Sequence, residues 1–286
     1  MLPGDLQFTL VESFDDAEAL MRWLGERRDV LACDTETDGF RWWDGQLRLV
    51  QFGDLHHGWA VPWDRWSGLC QEVFRRYQGP LAFHNAKFDL HWLERFGCDV
   101  RRDRVDDTQT MVQLVEPREL AALKQAGKRW VDPAAAIGQD DLKLAFTKAK
   151  WSWGTVPVEL EAYWLYAALD TVITAHMHQA LRPIVDADLR SVYDMEMTVQ
   201  QILLDMETRG VRVDLAYCAE KETELREWAT SVRGWCTAEY GFNLTSAKEV
   251  AAQLMRDGVR LHKRTKTGWS LDEEVLSVIQ HPLAEA

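Results

Sequence analysis

Asp34 and Glu36 stand two residues apart at the end of the apolar run Val30-Leu-Ala-Cys. On a β-strand, residues i and i+2 face the same way, so the pair projects together from what reads as a buried central strand. Adjacent anions in such a place repel each other and resist leaving water unless a cation neutralises them. A hard divalent ion that prefers carboxylate oxygens, such as Mg2+, meets that need. The spacing alone is common, recurring at Asp16/Glu18, Asp194/Glu196, Asp205/Glu207 and Asp272/Glu274. Those four pairs fall in helical patterns, where i and i+2 do not share a face, and they read as solvated helix surface.

Two further acids have helical companions. Asn85 and Asp89 are four apart, on a helix expected to begin just after the short strand Pro80 to Phe83. They share a face, and two readings stand. One is an Asn capping the helix with a surface Asp one turn later; the other is a functional pair. Tyr166 and Asp170 are also four apart, in a run from Ala162 to Ile173 that is apolar nearly all round and so predicted to be buried. A buried Asp without a partner is costly. Either the Tyr hydroxyl satisfies it or a metal ion does.

The elements that must position these acids follow from periodicity. Phe8 to Val11, Val30 to Thr35, Leu47 to Gly53 and Trp59 to Pro62 read as strands, punctuated by Gly39, Asp44-Gly45 and His56-His57-Gly58. Together they suggest an antiparallel meander. Helical periodicity covers Asp15 to Arg28 and Asp64 to Tyr77, and from Asp107 onward helices dominate, with breaks at Pro117 and Asp132-Pro133. Pro157 suits the first turn of a long helix ending before Pro183. Beyond about Asp188, long amphipathic helices reach Arg209 and then run from Leu215 to about Tyr240, separated by Gly210-Val-Arg-Val-Asp214. The expectation is a mixed α/β domain followed by a helical segment.

Bulk properties narrow the partners. At 286 residues the chain can bury a large core, and no long apolar run is free of charge, so no transmembrane helix is expected. The start Met1-Leu-Pro-Gly-Asp has neither a basic segment nor an apolar signal core. Five scattered cysteines without a Cys-x-x-Cys pair fit reduced thiols in a cytoplasm, with Cys33 in the core. The net charge of −13 weakens the case for a general DNA-coating protein. It leaves open a metal nuclease, which needs clustered acids.

In chain order, Asp34-Thr-Glu36, Asn85-x-x-x-Phe88-Asp89 and Tyr166-x-x-x-Asp170 resemble the three motifs of the DEDD superfamily of 3′→5′ exonucleases. The subclass is the one with a tyrosine in the third motif, and all four acids and the Tyr are in place. The resemblance implies an α/β, ribonuclease-H-like exonuclease fold, a mixed sheet flanked by helices, over residues 1–185. Residues 186–286 resemble the opening of the polymerase part of family A DNA polymerases, the DNA polymerase I group. The matching residues are Glu196, Leu203-Leu-Asp-Met-Glu207 and Gly210-Val-Arg-Val-Asp214. Asn243-Leu-Thr-Ser246 and Lys266-Thr-Gly-Trp-Ser270 are similar to stretches of that family's thumb, so this part is expected to be a helical thumb-like segment. Ala121 to Val156 is the least similar stretch, and its wording, with the abundance of Trp, looks most like actinobacteriophage polymerases. In that family palm and fingers come after the thumb, so this chain is not expected to synthesise DNA by itself; either it is a fragment of a longer polymerase or the two parts are encoded separately.

The resemblance implies a two-metal hydrolysis of DNA from a single-stranded or frayed 3′ end, releasing deoxynucleoside 5′-monophosphates and proofreading for a polymerase domain or subunit. Asp34, Glu36, Asp89 and Asp170 would hold two divalent ions, Mg2+ with Mn2+ tolerated, while Tyr166 and Glu36 orient the attacking water. Phe40 takes the place of the family's apolar contact to the terminal base, and His84 and Asn85 are expected substrate or supporting contacts. Asp107 lies near the site by the same resemblance but is not counted as a ligand. In the basic stretch Arg260 to Lys266, the residues Lys263, Arg264 and Lys266 either grip duplex phosphates or form a solvated loop. Trp42 and Trp43 either stack on single-stranded bases or pack as a lid, the packing role being favoured. The expected setting is the cytoplasm of a bacterial cell, with no membrane partner. A ribonuclease D-like exoribonuclease carries the same acids and Tyr, and a non-catalytic DNA-binding or polymerase-scaffold module is the rival from another class.

Overall fold

The apolar run before Asp34 forms the central strand of a mixed sheet. The structure is a computed structural model that describes residues 2, 4–26, 29–136 and 139–286, without the side chains of 134, 136 and 139–141. The expected ends at Met1 and Arg28 therefore lie outside the described residues. By chain contacts the molecule divides into two units, Met1–Gly210 and Val211–Ala286.

In the first unit the order is β1 (Gln7–Leu10), α1 (Phe14–Leu24), β2 (Leu31–Thr37), β3 (Leu47–Gly53), β4 (His57–Pro62) and α2 (Trp63–Arg76). Then come β5 (Leu81–Phe83), α3 (Ala86–Arg95), β6 (Val105–Asp107), α4 (Thr108–Val115), α5 (Leu123–Trp130), α6 (Gln139–Ala149), α7 (Glu161–Ile184) and α8 (Arg190–Arg209). Among the described residues the strands form one sheet in the order β1-β4-β3-β2-β5-β6. Strands β2, β3 and β4 are the antiparallel meander that the turn residues predict. Strand β1 departs from it and pairs parallel to β4. The reason is α1, which carries the chain back so that β1 and β2 run the same way. Strand β6 was not predicted: three residues, Val-Asp-Asp, give no periodicity to read.

The alternation of β2 sorts the two faces. Leu31 and Cys33 join Val50, Phe52 and Trp59 under α1, α2 and α3, in a core that includes Leu20, Phe74 and Trp92. Each such large side chain removed from water contributes about 1.5–3 kcal/mol. The opposite face is covered by α7, whose Tyr163 and Ala167 meet Leu49, and whose Ile173 and Met177 join Met111 of α4 and Ala126 of α5. Helix α7 lies very close to the sheet because Gly58 of β4 has no side chain. A Cβ there would land against the carbonyl oxygen of Ala168.

Two proline expectations need correction. Pro157 does not open α7; it lies in a turn closed by Leu160 N–H on its carbonyl, and the helix starts at Glu161. Pro183 does not end α7 either, because it falls in the last turn, and a π-turn over Val185–Leu189 leads directly into α8. Helix α8 is tied to the first unit. Glu207 accepts from Lys87, and its carboxylate also pairs with His91 at 2.7 Å. Asp205 accepts from Arg102 at 2.7 Å, and Tyr193 and Leu204 are buried. Two acids read as plain helix surface thus anchor the helix, and the compact unit extends past the expected boundary at 185 to Gly210.

The second unit holds α9 (Leu215–Tyr240), α10 (Ala247–Arg256), α11 (Glu273–Leu276) and α12 (Pro282–Glu285) around Cys236, Phe242, Leu254 and Val275. Asp214 caps α9 by accepting from the Tyr217 N–H at 3.0 Å. No helix among the described residues is long and apolar enough to cross a membrane.

Candidate active site

Asp34 and Glu36 share one face of β2, with Thr35 pointing to the other. Asp89 approaches from α3, beyond that other face, and Thr35 meets it. The Thr35 hydroxyl donates to Asp89 Oδ1 at 2.7 Å, and Asp89 is buried. Helix α3 is aimed by the residue that precedes it. Asn85 has φ +74°, a left-handed conformation that Asn tolerates, and its side chain makes no cap. Asp107 does the holding: its carboxylate accepts the N–H of Asn85 at 3.0 Å, of Ala86 at 3.1 Å and of Gln109 at 2.8 Å. The capping reading of Asn85 gives way to a corner fixed from β6, and Asp107 is fully engaged in it.

Asp170 comes from the middle of α7 and is buried. Its partner is not the Tyr166 hydroxyl but Lys124 of α5, whose ammonium donates to Asp170 Oδ1. The same Nζ lies 4.2 Å from the centre of the Tyr166 ring. Lys124 is itself buried, at 6% exposure. The pair meets because the two helices pack closely one turn further on, where a Cβ on Gly127 would stand 2.9 Å from Ile173 Cγ2.

Electrostatics show the acids to be one group. Burial pushes Asp34 well above the usual carboxylate range, and the charges of Asp89, Asp170 and Glu36 push it further. Burial, then Asp170, raises Glu36 to about 8, against a lowering pull from Lys124. Asp89 is raised to about 8 by burial, although the Thr35 hydrogen bond opposes it. Asp170 is raised by burial against Lys124. The Tyr166 hydroxyl is also pushed up, by burial and then by Asp170, Glu36 and Asp34.

Such a set of anionic oxygens suits a hard divalent ion. A second observation agrees with it. Gln51, directly across from Asp34 on β3, is wholly buried with neither amide atom hydrogen-bonded among the described residues. The buried Tyr163 hydroxyl, in the charge field of Glu36, is likewise without a hydrogen bond. These polar atoms fit the water shell of a hydrated ion better than a dry core. No three His, Cys, Asp or Glu side chains among the described residues form a closed metal cage, since Asp89 is turned to Thr35 and Asp170 to Lys124.

The remaining predicted residues are placed unequally. Phe40 is 86% exposed, with its ring 6.2 Å from that of Phe88, one residue before Asp89. Asn85 is exposed. His84 has both ring nitrogens engaged, one with Thr108 Oγ1 at 2.9 Å and one with the Ala121 carbonyl at 2.8 Å. Trp42 stacks on His91 at 4.3 Å and packs, while Trp43 stays exposed. In the second unit Lys263 pairs with Asp272 and Glu274, each at 2.8 Å, and Arg264 lies over Trp269 at 4.3 Å. Lys266 is exposed.

Sequence reasoning missed Lys124, Thr35 and Gln51. Lys124 lies in the stretch least similar to the family, and nothing local distinguishes it from a surface lysine. Thr35 and Gln51 had a usable signal, since each is adjacent to or paired with Asp34 once the hairpin register is known.

A family model described as a 3′-5′ exonuclease, of the DNA polymerase A type, matches residues 9–186. The chain belongs to that family. Divalent-metal dependence is general in it. A DNA polymerase of Mycobacterium phage L5 is 31% identical over 290 residues, covering 93% of this chain and 48% of its own length. DNA polymerase I of Synechocystis sp. is 27% identical over 315 residues, covering all of this chain and 31% of its own. The exonuclease chain thus spans about half or less of the curated relatives it matches. Among solved structures, the POL domain of Pol1 from M. smegmatis, in complex with DNA primer-template and dNTP, aligns with a TM-score of 0.58. At 20% identity it covers 98% of this chain and 46% of its own, a likeness of fold that takes in the second unit. The family match ends at residue 186, while the compact unit that contains it continues through α8 to Gly210.

Proposed function

We propose that this exonuclease removes nucleotides from a single-stranded or frayed 3′ end of DNA, releases deoxynucleoside 5′-monophosphates, and proofreads for a DNA polymerase in a bacterial cytoplasm. The observation that carries the reading is the convergence of four mutually repelling carboxylates, Asp89 and Asp170 buried and Asp34 and Glu36 half-buried, with Tyr166, in a chain of this family. Asp34, Glu36, Asp89 and Asp170 would hold two divalent ions, Mg2+ or Mn2+, which supply Lewis-acid activation of water and charge for the leaving 3′ oxygen.

The chain's own groups do the rest. Glu36 accepts from the attacking water and Tyr166 orients it by its hydroxyl, which stays protonated because burial raises its pKa. Phe40 and Phe88 present aromatic faces to the terminal base, and Asn85 offers its amide to the adjoining phosphate or sugar. His84 acts through position, tying Ala121 at the head of α5 to Thr108. Of the basic stretch, Arg264 and Lys266 are the residues to meet duplex phosphates, because Lys263 is already neutralised.

The test uses a DNA strand labelled at its 5′ end and mismatched at its 3′ end. A Mg2+-dependent ladder that disappears in Asp34→Ala is expected. No shortening with Mg2+ or Mn2+ would instead favour a scaffold module, and equal rates on matched RNA and DNA strands would favour a ribonuclease.

A further inference from the structure

Lys124 takes no part in the proposed chemistry, yet it is buried directly against the acids. A lysine buried to 6% exposure loses strong hydration and persists only where a partner repays it. Here the partner is Asp170 Oδ1, with the Tyr166 ring under the same ammonium. Its charge also reaches Glu36. One ammonium therefore touches or influences three of the groups that carry the proposed chemistry, and they come from β2 and α7 while it comes from α5. The placement is built: Gly127 lets α5 approach α7, and His84 holds the Ala121 carbonyl at the entrance to α5.

We infer that Lys124 is a positioning residue that acts as a fixed internal cation, sharing the carboxylates' charge with the divalent ions and holding Asp170 and Tyr166 in their working orientation. The inference rests on the nuclease reading. With Oδ1 of Asp170 held by Lys124, its other oxygen is the one left for an ion. The charges also balance. Four carboxylates, one ammonium and two divalent ions leave one positive charge, equal and opposite to that of a phosphodiester. Without Lys124 the same set is neutral before the phosphate arrives, so it attracts the ions more strongly and the substrate phosphate less.

The test compares the wild-type full chain with Lys124→Met and Lys124→Arg, each checked for the wild-type circular dichroism spectrum. Mg2+ and Mn2+ binding is titrated by calorimetry without DNA, and single-turnover shortening of the 3′-mismatched strand is followed at saturating Mg2+. Lys124→Met is expected to bind Mg2+ about tenfold more tightly, because the ions no longer meet a like charge. It should cut about 10- to 100-fold more slowly, because Asp170 and Tyr166 are no longer held. Lys124→Arg, which keeps the charge, should retain wild-type ion affinity and recover most of the rate. Mg2+ binding by Lys124→Met at the wild-type affinity or weaker would overturn the inference. If Lys124→Met does not fold, Lys124→Gln takes its place in the same titration with the same two outcomes. A wild type that binds the ions but shortens neither DNA nor RNA overturns the nuclease reading alone, and the calorimetry still decides about Lys124. A wild type that binds neither ion overturns both.

Discussion

The Thr35 hydroxyl and Asp89 Oδ1 are 2.7 Å apart, a hydrogen bond that crosses from the central strand to α3 and fixes one carboxylate of the site from outside its own helix. Thr35→Val keeps the shape and removes the donor. A hydrogen bond to a charged group contributes about 1.5–3 kcal/mol. The 3′→5′ rate should fall about 10- to 100-fold by loss of Asp89 positioning, and the melting temperature should fall by several degrees. A single-turnover assay at wild-type rate would show that Asp89 needs no such anchor.

Stability should depend on pH with a sign set by the acids. Glu36 and Asp89 are raised to about 8 in the fold, whereas the unfolded chain titrates them near their ordinary value of about 4. The folded protein therefore holds more protons between those limits, and stability falls as pH rises through that window. In EDTA the melting temperature should drop from pH 5 to pH 8 more steeply for wild type than for Asp34→Asn. Saturating Mg2+ should flatten the slope, adding about 2.7 kcal/mol at a hundred times its Kd. Parallel slopes for the two proteins would refute the assignment.

Gly58 sets how near α7 approaches the sheet, because a Cβ there meets the Ala168 carbonyl two residues before Asp170. Gly58→Val should cost about 1–3 kcal/mol by overpacking, measured by urea denaturation. It should also reduce cleavage, since α7 carries Asp170 outward as it moves.

The exonuclease unit is proposed to need α8. A chain ending at Gly210 should keep the wild-type melting transition of this unit and cut single-stranded DNA. A chain ending at Val185 exposes the surface that Tyr193 and Leu204 cover and loses the Glu207 and Asp205 pairs, so it should melt markedly lower. Equal melting temperatures would return the boundary to 185.

Much of the site is legible in the amino-acid order alone. The i, i+2 rule puts Asp34 and Glu36 on one face, and that needs only the strand. The i, i+4 rule joins Tyr166 to Asp170 on a helix whose apolar surround foretells its burial. The meander of β2, β3 and β4 is readable from its turns. The parallel pairing of β1 with β4 is not, because it depends on where α1 deposits the chain.

What the sequence determined by itself is the set of acids and their local geometry, since both follow from periodicity within one element. Which groups face those acids from elsewhere depends on how the elements pack. Thr35 became the anchor of Asp89, Asp107 the corner that aims α3, and Lys124 the counter-charge of Asp170, each across tens of residues. A contact between elements depends on how closely they pack, as at Gly58 and Gly127. No period in the sequence records that distance.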